Sequence, residues 1–111
     1  MPALSQQQCR PVTTDEFISK PQLATYLDEL KLLWHLDKTG QSICREFKFK
    51  DYYETMAFIN AAAWIFHRQD HHPDMQVSYN YCKITFTTHS IGSLSVNDFI
   101  CAARLNEITL S

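Results

Sequence analysis

A stretch of twelve residues without a charged side chain, from Thr55 to Phe66, is the feature that most constrains the fold. Asp51 and Glu54 precede it as a cap and a first-turn acid, which predicts a helix from 51 to about 68. Apolar side chains cover more than one face of this helix, so we expect burial on two sides. One side can pack on a sheet. The other either meets a second copy of the chain, which we favour, or lies wholly inside the domain.

Alternating apolar and polar residues on both sides of this helix predict two β-hairpins. Before it, strands over 32–36 and 43–50 flank a turn at 38–41. After it, a short strand beginning at Val77 leads through a turn near Asn80 into a strand over 82–87.

Two further helices are predicted at the ends of this series. Ser19 and Gln22 have the spacing of a capping box and begin a helix over about 20–30. Ser95 and Asp98 begin a terminal amphipathic helix in the same way. The element order is therefore α-β-β-α-β-β-α, an α+β domain whose four-stranded antiparallel sheet carries three helices packed on one face. We expect one domain over 13–111, preceded by a flexible polar lead-in over 1–12.

Composition excludes several classes of partner. The net charge of −2 offers no electrostatic footprint for direct binding of nucleic acid or of an anionic membrane. The N-terminus has no basic start or apolar core typical of a signal peptide, and no apolar run is long enough for a membrane helix. We expect a cytoplasmic protein. The four cysteines form no CxxC motif, which favours reduced thiols, with a disulfide or thiol catalyst as the alternative; they are Cys9, Cys44, Cys82 and Cys101.

Four of the five histidines lie between residues 67 and 89. They could be surface residues beside a helix end, where a positive charge is favoured. His67 and His71 also have the i, i+4 spacing of two metal ligands, but Pro73 disfavours helix at that point and no HExxH motif is present. Acid–base catalysis is the third alternative, because imidazole titrates near neutral pH.

The spacing His67-x3-His71-His72-Pro73-x5-Tyr79-x9-His89-x8-Asp98 resembles the signature of pterin-4a-carbinolamine dehydratases. That family also contains the dimerisation cofactor of a homeodomain transcription factor. The segment from Arg45 to Tyr52 is similar to the family's second strand and helix start. Thr88-His89, followed by Gly92, Leu94 and Asp98, is similar to its closing segment. The resemblance covers about residues 20 to 108.

The resemblance implies a hydro-lyase that dehydrates 4a-hydroxytetrahydrobiopterin to the quinonoid dihydropterin during tetrahydrobiopterin recycling, with no metal and no cofactor. It implies that His71 and His89 form the acid–base pair and that His72 polarises the 4a-hydroxyl. The residues that it implies for binding or orienting are His67, Asp70, Thr87, Thr88 and Asp98. Of these, Asp98 at the start of the last helix is expected to orient His89 or another ring. Tyr79 and Pro73 are better explained by packing and loop shape.

Two positions depart from the family pattern. Many members carry an acidic residue in place of His67, and a second small residue is common where this chain has Ser93. A histidine cannot pair with the donors of the pterin in the way that a carboxylate can.

Two other functions stay open. One is a non-catalytic binding module that stabilises dimers of a partner protein such as a transcription factor, and this leaves a nuclear location open as well. The other is a metal-dependent hydro-lyase. The helix around Met56 to Phe66 would serve either as the contact of a homodimer or homotetramer or as the surface for a partner protein.

Overall fold

The computed structural model describes residues 2–109, and within that range the chain forms three α-helices and one four-stranded antiparallel sheet. This confirms the predicted α-β-β-α-β-β-α order and the α+β class. Two short 3-10 turns, Leu4–Gln6 and His89–Ile91, accompany these elements. The elements are α1 (Lys20–Glu29), β1 (His35–Leu36), β2 (Ile43–Lys48), α2 (Tyr52–Gln69), β3 (Asp74–Ser78), β4 (Tyr81–Phe86) and α3 (Val96–Thr109).

The sheet has the strand order β1-β2-β4-β3, so the two predicted hairpins meet through their second strands. In the central pair, Ile43 lies opposite Phe86 and Phe47 lies opposite Cys82. Every second residue of β4 is buried, at Cys82, Ile84 and Phe86. Because the buried residues recur with a period of two, they lie on the same face of the sheet, the face on which the helices pack.

Side-chain caps begin α1 and α2 at the predicted positions. The Ser19 hydroxyl accepts from the Gln22 backbone N–H, and the Gln22 side chain accepts from the Ser19 backbone, which completes the capping box. The Asp51 carboxylate accepts from the Glu54 backbone N–H at 2.8 Å. Each cap satisfies a backbone donor that the helix itself leaves unpaired.

The strand predicted over 32–36 is largely wrong, because β1 covers only His35–Leu36. Lys31 and Leu32 have φ angles of 60° and 56°, in the left-handed region that an extended strand cannot use. The alternation of apolar and polar residues in this stretch reflects the burial of one large side chain instead. Trp34 is 2% exposed, and its indole N–H donates to Asn106 Oδ1 at 2.9 Å.

The terminal helix was predicted to be amphipathic, but α3 is buried on most of its circumference. Five consecutive residues, 99–103, are buried, and so is Leu105. The second side of α3 is covered by the 3-10 turn at Leu4–Gln6, where Leu4 is 0% exposed. The flexibility predicted for residues 1–12 stays a prediction, and residue 1 lies outside the described residues. Residues 4–10 nevertheless contact the domain through Leu4 and the hydrogen bonds given below.

Helix α2 has one buried face and one open face. Phe58, Ala62 and Phe66 pack into the core, whereas Trp64 is 67% exposed. Ala57 and Ala61 share the open side. Within residues 2–109, no helix combines the length and hydropathy that a membrane crossing requires.

Candidate functional site

The C-terminus of α2 fixes the position of His71. Asp70 adopts a left-handed φ of 51°, its N–H donates to the His67 carbonyl, and the His71 N–H donates to the Phe66 carbonyl at 3.2 Å. This pair of hydrogen bonds is a Schellman motif, which ends the helix and fixes the direction in which the chain leaves it. His71 is the first residue after that turn.

Two contacts hold the imidazole of His71. The ring stacks on Phe86 of β4, with ring centroids 5.9 Å apart and an interplanar angle of 8°. Its Nε2 lies 2.6 Å from Asp98 Oδ1. The His71 side chain is 13% exposed and that of Asp98 is 0% exposed. The ring is therefore oriented by the core on one side and by a buried carboxylate at one nitrogen.

Asp98, in the first turn of α3, has hydrogen-bond donors on both carboxylate oxygens. Oδ2 accepts from the Thr88 hydroxyl at 2.8 Å and from the Ser95 backbone N–H at 2.9 Å. The hydroxyls of Thr88 and Ser95 are themselves 2.7 Å apart. Each oxygen of this buried carboxylate therefore has a hydrogen-bonding partner, as a buried polar group requires. It joins the end of β4, the start of α3 and the end of α2.

The electrostatics of His71 favour the protonated ring. Burial lowers the pKa of His71, but the hydrogen bond and the negative charge of Asp98 outweigh it, with smaller contributions from Cys9 and Asp70, so the pKa is raised overall. Because Asp98 accepts from Nε2, the neutral ring carries its proton there and keeps a lone pair on Nδ1. Nδ1 is then the nitrogen that can take up or deliver a proton at a ligand.

His71 lines a cavity of about 220 Å³ between the domain and its N-terminal segment. We call residues 7–12 the N-terminal strap. Residues 9–12 of the strap form one wall, and His71 and Thr88 belong to the wall opposite. The Cys9 N–H donates to the Gln69 side chain at 2.8 Å. Sequence reasoning missed this wall, because a short polar stretch carries no periodic pattern.

Asn97 holds the next residue of the strap by two hydrogen bonds. Its Oδ1 accepts from the Arg10 N–H at 3.2 Å, and its Nδ2 donates to the Arg10 carbonyl at 2.6 Å. Together they satisfy both backbone polar groups of Arg10, as a strand partner would.

The larger cavity, about 690 Å³, lies elsewhere, between β2 and α2. Residues such as Arg45, Phe47 and Phe58 line it, and none of the histidines does. Its lining includes the carboxylates Glu46 and Glu54 but no imidazole held by a buried partner, so its size alone does not make it the candidate site. The smaller cavity has both the titratable ring and the buried carboxylate.

The structure brings some of the predicted site residues together and separates others. Asp70, His71 and Thr88 line the small cavity, and Asp98 lies directly behind His71. His72 and His89 are exposed, and the 3-10 turn that His89 begins follows Thr88 directly.

His67 and Thr87 do not line the cavity. His67 lies on α2 with its ring edge-on to Trp64, 6.2 Å between centroids. The Thr87 hydroxyl donates to the Gln41 carbonyl at 2.6 Å. The roles of all the predicted site residues stay predictions. Among the described residues, no cluster of three His, Cys, Asp or Glu could hold a metal ion.

The raised pKa of His71 predicts a pH-dependent contribution to stability. Below its unfolded pKa of about 6.5 the contribution is fully present, and it is lost as pH rises through the higher folded pKa. We expect His71→Gln to lower the free energy of unfolding more at about pH 5.5 than at about pH 9. Urea denaturation at the two pH values measures this loss in the free energy of unfolding. His35→Gln, at an exposed position in β1, is the matched control, and equal losses at both pH values would contradict the prediction.

Comparisons with known proteins match this chain over nearly its whole length. The family profile described as pterin 4 alpha carbinolamine dehydratase matches residues 16–108. A protein of Stenotrophomonas maltophilia, named "Putative pterin-4-alpha-carbinolamine dehydratase", is 48% identical and aligns over 96% of this chain and 91% of its own length. A protein of Nitrosomonas eutropha with the same name is 45% identical and aligns over 97% of this chain and 95% of its own length.

Solved structures share the fold. The crystal structure of a transcriptional coactivator/pterin dehydratase from Brucella melitensis superposes with a TM-score of 0.78 at 29% identity, covering 83% of this chain and 97% of that one. A pterin dehydratase-like protein described as a RuBisCO assembly factor in the alpha-carboxysome gives a TM-score of 0.61 at 23% identity. The superposition covers 70% of this chain and 90% of that one. The second likeness extends to the fold alone.

Proposed function

The chain belongs to the pterin-4a-carbinolamine dehydratase family, and from this premise we propose that it dehydrates 4a-hydroxytetrahydrobiopterin to the quinonoid dihydropterin. The single observation that carries the proposal is the His71–Asp98 pair at the wall of the small cavity. A titratable ring held by a buried carboxylate is the arrangement that acid–base catalysis requires.

The reaction needs two proton transfers. In a carbinolamine, a nitrogen lone pair adjoins the carbon–oxygen bond and can expel the hydroxyl group. One proton must reach that hydroxyl, which leaves as water, and one must leave a ring nitrogen of the pterin. The elevated pKa of His71 keeps more of its ring protonated near neutral pH, which suits a donor to the leaving hydroxyl.

We assign the opposite transfer to His89 and the polarisation of the 4a-hydroxyl to His72. Both side chains are exposed: His72 follows His71 in the loop after α2, and His89 begins the 3-10 turn after β4. Asp70 and Thr88 line the cavity, which supports a role for them in binding the pterin edge. Thr87 and His67 would take part only after moving towards the cavity.

The proposed setting is the recycling of tetrahydrobiopterin in the cytoplasm. The quinonoid product is two electrons more oxidised than a tetrahydropterin, so a reductase must consume it. A hydroxylase that uses a tetrahydropterin must supply the substrate.

An assay of freshly generated 4a-hydroxytetrahydropterin tests the proposed function. We expect the folded protein to accelerate the loss of the carbinolamine absorbance above the spontaneous rate, and we expect EDTA to leave that acceleration unchanged. Loss of the acceleration in EDTA would support a metal-dependent hydro-lyase. No acceleration by folded protein would overturn the dehydratase and favour the binding module.

We also propose that α2 mediates self-association as a homodimer or homotetramer. The support is its open face, where the exposed residues Ala57, Ala61 and Trp64 recur at helical spacing. Small residues beside one large aromatic side chain allow a second helix to approach closely. The same face could hold a partner protein, and the relative from Brucella melitensis is described as a coactivator as well as a dehydratase.

A charge on this face tests the assembly. We expect Ala61→Glu to weaken self-association by at least about 100-fold, because like charges facing each other across an interface cost several kcal/mol. Light scattering after size-exclusion chromatography measures the mass. Ala24→Glu, at an exposed position on α1, is the matched control. Ala62 is unsuitable because it is 0% exposed. An unchanged mass for Ala61→Glu would place the contact elsewhere.

A further inference from the structure

Two cysteines far apart in the chain meet beside the candidate site. Cys9 Sγ, on the N-terminal strap, lies 3.7 Å from Cys101 Sγ, on α3. Cys101 is 0% exposed, whereas Cys9 is half-buried and lines the cavity that His71 also lines. The proposed dehydration uses neither sulfur.

The surroundings make the two thiols unequal. The hydrogen bond from Cys101 lowers the pKa of Cys9, burial opposes this, and the positive charges of His71 and Arg104 add to the lowering against the charge of Asp98. The same hydrogen bond and burial raise the pKa of Cys101. Cys9 is therefore the thiol that ionises first, and Cys101 keeps its proton. The neutral Cys9 thiol has the Asn97 carbonyl as an acceptor at 3.5 Å.

We propose that Cys9 and Cys101 form a redox-sensitive pair, which a peroxide oxidises to a disulfide that fastens the N-terminal strap to α3. The geometry needs little change, because a disulfide requires the sulfurs to approach by about 1.6 Å from their present separation. The backbone of Cys9 and Arg10 is held by hydrogen bonds to the Gln69 and Asn97 side chains, and a shift of the strap along these bonds can supply the movement.

The chemistry consumes one hydrogen peroxide per disulfide. The Cys9 thiolate attacks one peroxide oxygen, the O–O bond breaks, and the hydroxide that leaves takes up a proton to become water. The product is a sulfenic acid on Cys9. Cys101 then attacks the Cys9 sulfur, the S–S bond forms, and the S–O bond breaks. The second hydroxide takes the Cys101 proton and leaves as water, so two thiols lose two electrons to the peroxide.

Oxidation would change the wall of the cavity. In the reduced protein the strap can separate from the domain by breaking the hydrogen bonds at Gln69 of α2 and at Asn97 and Arg104 of α3. In the oxidised protein a covalent bond fixes residue 9 beside His71. Substrate entry that requires the strap to move would then depend on the redox state of this pair.

Peroxide treatment of the folded protein tests the proposal without any assay of activity. We expect intact-mass analysis to show loss of two hydrogen atoms, and peptide mapping to link Cys9 to Cys101, with reversal by dithiothreitol. Cys44→Ser is the matched control and should form the same link. In Cys101→Ser, Cys9 should stop at the sulfenic acid, which dimedone traps. If that variant does not fold, Cys101→Ala replaces it, since the smaller apolar side chain suits the buried site.

Two readouts would overturn the proposal. One is that Cys44 reacts with peroxide as fast as Cys9 does. We expect Cys9 to react at least about 10-fold faster. The other is a Cys9–Cys101 link that forms only in urea. Hydrogen exchange supplies an independent check, because the amides of Cys9 and Arg10 should exchange at least about 10-fold more slowly in the oxidised protein. Unchanged exchange would show that the strap is not fastened.

Discussion

Replacing His71 with glutamine should lower kcat for the dehydration by about 10²- to 10⁴-fold, the range that a positioned acid–base group contributes. Glutamine keeps a polar side chain of similar reach, so stacking on Phe86 and one hydrogen bond to Asp98 can be retained while proton transfer is lost. The measurement is steady-state kinetics on the freshly generated carbinolamine. KM should change much less than kcat, because the substitution removes an interaction made in the transition state.

His35→Gln is the control for the loss of a histidine as such, since its side chain lies in the exposed edge strand β1. It should keep the activity of the unsubstituted protein. His89→Gln should lose activity to a similar degree as His71→Gln, and the double variant should lose less than the product of the two single losses, because both rings serve one reaction. A His71→Gln protein that keeps more than about a tenth of kcat would show that another group is the acid.

Replacing Asp98 with asparagine should produce the second large loss of activity, because it changes which ring nitrogen of His71 carries the proton. Thr88 and Ser95 both donate to Oδ2, so the asparagine oxygen must take that place and its NH₂ group must face His71 Nε2. Nε2 then has to accept, and the neutral ring carries its proton on Nδ1 instead. Nδ1, the nitrogen that Asp98 leaves available for a ligand, therefore changes from an acceptor to a donor.

We expect kcat of Asp98→Asn to fall by at least about 10²-fold, with a loss of about 1–3 kcal/mol in the free energy of unfolding from the weakened buried hydrogen bonds. The pKa of His71 should fall as well, since Asp98 is the group that raises it, and NMR titration of the ring protons measures this. Asp28→Asn, at an exposed position on α1, is the control. An unshifted His71 titration would show that Asp98 has only a structural role.

Local signals predicted much of the fold because they act over a few residues. The capping box at Ser19 and the Asp51 cap mark the helix starts, and the period of two in β4 marks the buried face of the sheet. β1 was predicted too long because alternation cannot distinguish a strand from a loop with one buried side chain. The left-handed φ angles at Lys31 and Leu32 are set by the end of α1, not by their own side chains.

The candidate site was predicted through the resemblance of spaced residues, and only in part. Asp98 was expected to orient His89 or another ring, and the structure pairs it with His71, 27 residues away in the chain. No local pattern chooses between those partners, because the choice depends on how α2, β4 and α3 meet. The wall formed by Cys9 and Arg10 was not predicted at all. Its contacts to Gln69 and Asn97 depend on tertiary packing that a polar segment does not encode by periodicity.

The placement of Asp98 has a thermodynamic consequence for finding ligands. Its carboxylate connects the end of α2, the end of β4 and the first turn of α3, so the side of the pocket that carries His71 cannot come apart without disrupting the core. A molecule that binds at His71 therefore binds the native state and has no equivalent site on the unfolded chain. By mass action, a ligand at 100 times its Kd adds about 2.7 kcal/mol to the free energy of unfolding. The melting temperature of this domain thus reports how much of the site at His71 is occupied. Pterins with different side chains can therefore be ranked by affinity from the melting temperature, without an assay of turnover.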